Sequence, residues 1–411
     1  MSLEKSFNEE PSCQKIKQAI ILAGGQGIRL RPFTDNLPKP MVSINGKPFL
    51  EYLVELLKES GVEEIVMLLG YLPEKITEYF GDGLKFGIRI KYSIGTAEDK
   101  TGTRIRNAAS LLADKFLLMY GDNYWPMELS KMQSFYNKQG VLASTTVYNN
   151  KDGLGEYGFE NNIAVREDGR ILFYDKTRQD KRSNGVDIGF FILNKKVLDF
   201  MPKHNFSFEK EILPKLVNNE QLAGYRTDHP YYSITDIKFL ERVKKFLTPK
   251  KVIFLDRDGV INKKMPPHDY VKKWEEFKFL PGAINALQLL KQNGYEIYII
   301  TNQRGISRGL MTEQDLENIH NNMKKELKSN GVELDGIYYC PHDENMCECR
   351  KPKPGMFFAA AREHFLDLTK SVLIDDSESD IGAGKAIGCK TILITPNQNL
   401  LTIAELLINN L

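Results

Sequence analysis

Asp256 and Asp258, separated by one arginine and followed by Gly259, stand at the end of the apolar run in VIFLDRDGVIN, residues 252–262. Two carboxylates this close can divide nucleophilic attack from proton transfer, as hydrolysis of a phosphate ester requires. The same residues also suit an acidic turn in which aspartate accepts from backbone amides. Further groups downstream favour chemistry. Thr301-Asn302 follow a second apolar run at 295–300, Arg350-Lys351 bring fixed positive charge, and Asp375-Asp376 end a third run at 371–374. Hydroxyl, amide and ammonium groups hold phosphoryl oxygens, and carboxylates hold a divalent cation. Cys340-x-His342-x4-Cys347-x-Cys349 sets four soft or borderline ligands within ten residues. That spacing suits a structural tetrahedral zinc with no position left for a reacting water; inert reduced thiols are the plainer alternative.

The runs are rich in β-branched and aromatic residues, so each reads as a buried strand that carries polar groups to its C-terminal tip. Ligands of open α/β sheets bind in the crevice beyond those tips. A helix is expected over 282–293, and a helix start near Thr301-Asn302 would favour an anion there. An ST-turn closing the strand fits the same two residues.

Earlier in the chain an apolar strand at 16–22 runs into AGGQGIRLRPFTDNLPKPM. Gly24, Gly25 and Gly27 let the backbone turn tightly and present N–H groups to an anion, and Arg29 and Lys39 bring cations to the same mouth. Neither GxGxxG nor a Walker pattern is present. Helices at 49–60 and 73–80 alternate with strands at 64–69 and 88–92, which implies a mostly parallel sheet covered on both faces. A strand at 116–120 ends in Gly121-Asp122-Asn123, and a carboxylate at such a tip suits magnesium on triphosphate oxygens. Gly102 and Thr103 in TGTRIRNAA read either as ligand contacts or as a helix start capped by Thr101 or Thr103.

The first of these patterns resembles the signature LAGGxGTRLRPxTxxxPKPM of sugar-1-phosphate nucleotidyltransferases, and the resemblance covers residues 16–247. Ile28 replaces the usual threonine. The resemblance implies that Gly24, Gly25, Gly27, Gly102 and Thr103 bind a nucleoside triphosphate, with GTP favoured. Arg29 and Lys39 would then stabilise the transition state, and Asp122 would hold magnesium. Glu156, Lys176 (with Asp175) and Asp187 would contact the sugar phosphate. At YYSITD, residues 231–236, Ser233 stands where the family commonly has a second metal-binding aspartate, with Asp236 three residues on. A hydroxyl is a much weaker ligand than a carboxylate. The first domain is therefore either an active transferase or a nucleotide-sugar-binding regulatory domain.

The second set of motifs, in order over 251–411, resembles the haloacid dehalogenase superfamily of phosphohydrolases. TNQRGISRG, YYCPH and CECRKPKPGM bring it near the heptose 1,7-bisphosphate 7-phosphatases, with histidinol phosphatases related. The resemblance implies an aspartyl-phosphate on Asp256, acid–base work by Asp258, and magnesium held by Asp256, the Asp258 carbonyl and Asp376. Thr301, Asn302 and Lys351 would hold the phosphoryl group, and Arg350, with Arg304 and Arg308, would bind the rest of the substrate. Ser377 replaces a usual lysine. A zinc loop of Cys340, His342, Cys347 and Cys349 would hold the stretch before Arg350 in place.

The expected architecture is thus α/β in two domains: a polar tail at 1–15, a nucleotidyltransferase-type mixed sheet with a Rossmann-like core at 16–247, a linker at 248–251, and a Rossmann-like parallel sheet with a zinc loop at 252–411. Length supports two cores: 411 residues exceed what one usually serves. With 42% hydrophobic and 27% charged residues and a net charge of +2, the chain has no field that would gather nucleic acid or an acidic membrane. No apolar run approaches the ~20 residues of a membrane span, and the polar start is not signal-like, so a cytoplasmic enzyme of small molecules is expected. Cys13 and Cys389 read as ordinary thiols. Joined in one chain, the two activities would be consecutive steps: a heptose bisphosphate loses its 7-phosphate, and the heptose 1-phosphate then takes a nucleotidyl group for surface polysaccharide.

Overall fold

The computed structural model describes residues 15–153, 155–395 and 398–409. The expected tail as far as residue 14, Cys13 included, lies outside them. The chain divides into two compact units, the first ending at Lys244 and the second starting at Lys245.

In the first unit, β1 (Gln18–Leu22), β2 (Glu64–Leu69), β3 (Arg89–Ile94), β4 (Lys115–Tyr120), β5 (Ala143–Tyr148), β6 (Val186–Asn194) and β7 (Leu222–Thr227) form one sheet in the order β7-β5-β6-β4-β1-β2-β3. Only β6 runs antiparallel to its neighbours; the other pairings are parallel, the mixed sheet expected. Parallel pairing brings Leu22 level with both Leu68 and Tyr120, so the loops after β1, β2 and β4 open at one edge. Beyond β4, Asn123–Tyr124 pairs antiparallel with Tyr232–Ser233 and folds the last loop of the unit back onto that edge.

The second unit is a five-stranded parallel sheet in the order β10-β9-β8-β11-β12: β8 (Lys251–Leu255), β9 (Tyr295–Asn302), β10 (Gly336–Cys340), β11 (Val372–Asp375) and β12 (Lys390–Leu393). Alternate residues of β8 feed two cores. Ile253 and Leu255 pack with Leu287, Leu290 and Ile319, whereas Val252 and Phe254 pack with Phe357, Leu366 and Leu373. A strand buried on both faces must be apolar throughout, which is why its pattern does not alternate. β8 lies centrally, with crossovers leaving on both sides, so the tip of this strand meets the crevice of the sheet.

Two boundaries differ from expectation. Lys251, placed in the linker, already pairs with Tyr295 as the first residue of β8. No helix starts beside Thr301-Asn302: turns follow β9, and the next helix, Glu313–Ser329, begins where Thr312 and Asp315 cap each other reciprocally.

Candidate active sites

At the tips of β8, β9 and β11, Lys351 is completely buried and its Nζ lies 2.8 Å from Asp256 Oδ1, 2.5 Å from Asp375 Oδ2 and 3.2 Å from Asp380 Oδ2. Asn302 fixes this lysine from the next strand: its Oδ1 accepts from the Lys351 amide, and its Nδ2 donates to the Lys351 carbonyl and to Asp380. Three carboxylates share one ammonium. Burial raises the proton affinity of Asp256, and Asp375 and Asp258 add to the rise against the pull of Lys351. Burial likewise raises Asp375. Such an excess of negative charge fits a divalent cation.

Asp258 lies in the opposite environment. Arg257, itself fully buried, donates to both of its oxygens at 3.2 and 2.9 Å; Asn262 donates at 2.8 Å and Gln303 at 2.9 Å. Burial raises this carboxyl, but Arg257 and the amide donors outweigh it and hold Asp258 below the usual carboxylate range. Thr301 is buried and accepts from Gln303 through its hydroxyl. The acidic side chains beside Asp256 divide between two places. The carboxylate oxygens that converge with Asp256 are those of Asp375 and Asp380, within 4.8 Å of one another, and not that of Asp376. Successive residues leave a strand on opposite sides, so Asp375 turns to Lys351 while Asp376 lies over Gly259, where a Cβ would collide with it. Asp376 pairs instead with the half-exposed Lys264 at 2.7 Å.

The sulfurs of Cys340, Cys347 and Cys349 and Nδ1 of His342 converge, with separations from 3.1 to 3.7 Å. Donors about 2.0–2.3 Å from a tetrahedral zinc stand close to these separations, so the set fits that ion. Arg350 adjoins the cluster, its amide donating to Cys347 Sγ. Arg304 and Arg308, expected on a distal phosphate, are turned to the same loop: Arg304 reaches Asp343 at 2.5 Å and Glu344 at 2.6 Å, and Arg308 reaches Asp343 at 3.8 Å. Their charge is already met by carboxylates that sequence spacing does not reveal. Cys389 is buried among Ser371 and Lys390, away from the cluster.

In the first unit, Lys39 Nζ lies 2.6 Å from Asp122 Oδ2, and Gly27, at φ +64°, lets the glycine loop turn past the Lys39 side chain. The Lys39 ammonium outweighs burial and holds Asp122 below the usual range. Arg29, 61% exposed, pairs with Glu156 at 2.8 Å. Glu156 also accepts from the Thr235 hydroxyl, whose oxygen lies 3.0 Å from that of Ser233 and can accept from it, so Arg29, Glu156, Thr235 and Ser233 form one chain. Ser233 pairs with Asn123, the residue after Asp122, through the backbone. Asp236 is directed elsewhere, accepting from the Lys238 amide at the start of the next helix.

A cavity of about 410 Å³ is lined by Gly24, Gly25, Lys39, Asp122, Arg104 and Glu209, among others. Gly102 and Thr103 do not line it. A Cβ on Gly102 would strike the Phe206 ring, and the Thr103 hydroxyl donates to Asn205 and accepts from the Phe206 amide. The closeness of that segment, invisible in sequence, draws both residues inward. Neither Thr101 nor Thr103 caps its own helix; Thr101 donates to Glu209 at 2.7 Å. Asp187 accepts from Thr145 and the Gly189 amide, and its burial raises its proton affinity. Lys176 is exposed, its charge acting on Asp187 and Glu209. Asp175 is committed to a turn, accepting from the amides of Thr177, Gln179 and Asp180, which hold it at about 2 together with the Thr177 hydroxyl. Sequence reasoning gave no role to Arg104, Glu209 or Asp380, and named Asp375 only as the neighbour of Asp376. In FSFEKEI three charged residues stand together, and only the fold shows that Glu209 is the buried one.

Two strand-tip sites of this kind define an enzyme with two activities, a nucleotidyl transferase and a phosphatase. The family model for nucleotidyl transferases matches residues 18–235, and that for polynucleotide kinase 3 phosphatases matches 251–397. The second unit is 43% identical over 153 residues to the D-glycero-beta-D-manno-heptose-1,7-bisphosphate 7-phosphatase of Pasteurella multocida, covering 35% of this chain and 82% of that protein. It is 43% identical over 154 residues to the enzyme of the same name from Helicobacter pylori, covering 37% and 87%. A crystal structure from Bacillus anthracis, described as a candidate glucose-1-phosphate thymidylyltransferase in complex with a sucrose, matches the first unit's fold at 17% identity, with 55% of this chain and 93% of that chain covered and a TM-score of 0.50. The chain belongs to the nucleotidyl transferase family and, through its second unit, to the heptose-bisphosphate phosphatase family. Among the described residues no helix is long and apolar enough to cross a membrane.

Proposed function

We propose that the second unit removes the 7-phosphate of D-glycero-D-manno-heptose 1,7-bisphosphate and that the first transfers GMP from GTP to the heptose 1-phosphate, releasing pyrophosphate. The product would be a nucleotide-activated heptose for surface polysaccharide such as lipopolysaccharide. The observation that carries the phosphatase reading is the buried Lys351 between Asp256 and Asp375 at a strand tip. Asp256 attacks phosphorus, and the bond to the sugar oxygen breaks; Asp258, once it has taken up a proton against the pull of Arg257, gives it to that oxygen and later takes one from the water that releases phosphate. Thr301, Asn302 and Lys351 hold the phosphoryl oxygens, Arg350 binds the rest of the substrate, and Arg304 and Arg308, paired with Asp343 and Glu344, brace the loop before it. Magnesium, which offsets repulsion between carboxylate and phosphate, would be held by Asp256, the Asp258 carbonyl and Asp376. Asp375 and Asp380 are engaged by Lys351, whereas Asp376 has an exposed lysine that can swing away. Zinc on Cys340, His342, Cys347 and Cys349 would be structural.

In the first unit the glycine loop, with Gly24, Gly25 and Gly27, receives the triphosphate, Arg29 and Lys39 stabilise its transferred group, and Asp122 would hold a second magnesium. Gly102 and Thr103, held against Phe206 and Asn205, support from behind the wall that Thr101 and Arg104 form, and Glu156, Lys176 and Asp187 meet the sugar phosphate. Purified protein given heptose bisphosphate, GTP and magnesium should release phosphate and then pyrophosphate; phosphate without pyrophosphate would refute the second step. A hydroxyl at Ser233, on the strand paired with the one that follows Asp122, favours one rival, a first unit that binds a nucleotide sugar without turnover. Calorimetric binding of nucleotide with no turnover, unchanged in Ser233→Asp, would decide for that rival.

A further inference from the structure

We propose that Arg104 is the electrostatic floor of the first unit's cavity and draws the polyphosphate of the nucleotide toward the Gly24-Gly25 loop. The inference rests on reading that cavity as the nucleotide site. Arg104 is buried, yet no carboxylate among the described residues comes within ion-pair distance of it. Its guanidinium donates to backbone carbonyls alone: Leu69 at 2.6 Å, Thr96 at 2.8 Å, Gly24 at 3.2 Å and Ala97 at 3.4 Å. Lys39 and the nearby Arg29 differ, since Asp122 meets the one and Glu156 the other, and Lys100, also on the lining, is exposed to water. A guanidinium stays protonated even where burial disfavours it, so the charge persists in a place where water screens it poorly. Burying such a charge against neutral acceptors is costly, and an anionic ligand in the adjoining cavity offsets that cost.

The position is built on both sides. Gly24 follows β1 and Gly70 follows β2, and a Cβ on either would collide with the guanidinium. Two loops thus omit side chains where one arginine enters, and the carbonyls of both neighbourhoods orient it. Asp99 and Glu98 act on it only at a distance. The arginine lines the same cavity as Gly25, Lys39 and Asp122.

The test measures binding of GTP and of guanosine to the full-length protein by calorimetry, with the phosphatase rate of the second unit as an internal measure of active protein. Arg104→Gln keeps amide donors for the carbonyls and removes the charge; Arg104→Lys keeps the charge and removes the planar fork. The preference for GTP over guanosine should fall about tenfold in Arg104→Gln, as loss of a unit charge in a poorly screened site implies, and survive in Arg104→Lys. Equal loss of both affinities in Arg104→Gln, an unchanged preference there, or loss of the preference in Arg104→Lys overturns the proposal. Where Arg104→Gln lacks a cooperative unfolding transition near that of the wild type, Arg104→Met takes its place under the same criteria. Wild-type protein that binds no GTP would instead overturn the reading of the cavity itself.

Discussion

Lys351 Nζ stands 2.5 Å from Asp375 Oδ2, a carboxylate with no exposed surface, and the same ammonium reaches Asp256. The lysine that faces the phosphate is thus held from behind. Asp375→Asn keeps the volume and removes the second anchor, so Lys351 should shift toward Asp256 and compete with its attack. Phosphate release should slow roughly 10- to 100-fold, the range for a buried charge-assisted hydrogen bond. An unchanged kcat would show that Asp375 only fills space.

Asp256→Asn should abolish phosphate release, because an amide cannot form the aspartyl-phosphate. Pyrophosphate release from GTP and independently supplied heptose 1-phosphate should persist. Loss of both activities would mean that the two reactions share more than a chain.

His320 Nε2 lies 3.2 Å from Arg257 Nη1, and burial together with the Arg257 charge pulls its pKa down to about 3. A histidine depressed in the folded state contributes stability in full above its ordinary value of about 6.5; that contribution is lost as pH falls through the window down to about 3. Wild type should therefore lose up to about 1.4 kcal/mol per pH unit across this window that His320→Gln does not lose. Denaturant unfolding of both proteins at pH 7 and pH 5 measures the difference, and parallel losses would count against a neutral His320.

Removing the ion expected on Cys340, His342, Cys347 and Cys349 should destabilise the second unit. Metal analysis should find about one zinc per chain, and Cys347→Ser or a strong chelator should lower both zinc content and melting temperature. Melting that ignores zinc content would reduce the cluster to a set of thiols.

The strand-tip chemistry was legible because apolar runs ending in Asp256, Thr301 or Asp122 betray both the strand and its exposed end. The cysteine cluster was legible because its four ligands are local in sequence. What escaped depends on distant approach. Gly102 and Thr103 resembled binding residues until Phe206, about a hundred positions on, was found against them. Asp375 and Asp376 are neighbours in sequence, and only the facing of the strand end separates the one on Lys351 from the one on Lys264. Arg304 and Arg308 suggested a phosphate because nothing nearby in sequence announced Asp343 and Glu344 as their partners. The Asp258 environment, made by Arg257, Asn262 and Gln303, was half visible, since two of its three donors lie within four residues.

The ties of Arg304 to Asp343 and Glu344 are joined by two backbone bonds, from the Gln303 amide to the Cys340 carbonyl and from the Ser307 amide to the Pro341 carbonyl. Two loops stitched at four points move as one body. Amide hydrogen exchange in residues 303–308 should therefore rise and fall with that of 340–349, so the rigidity of a loop that contains no cysteine would be set by what the cysteines hold.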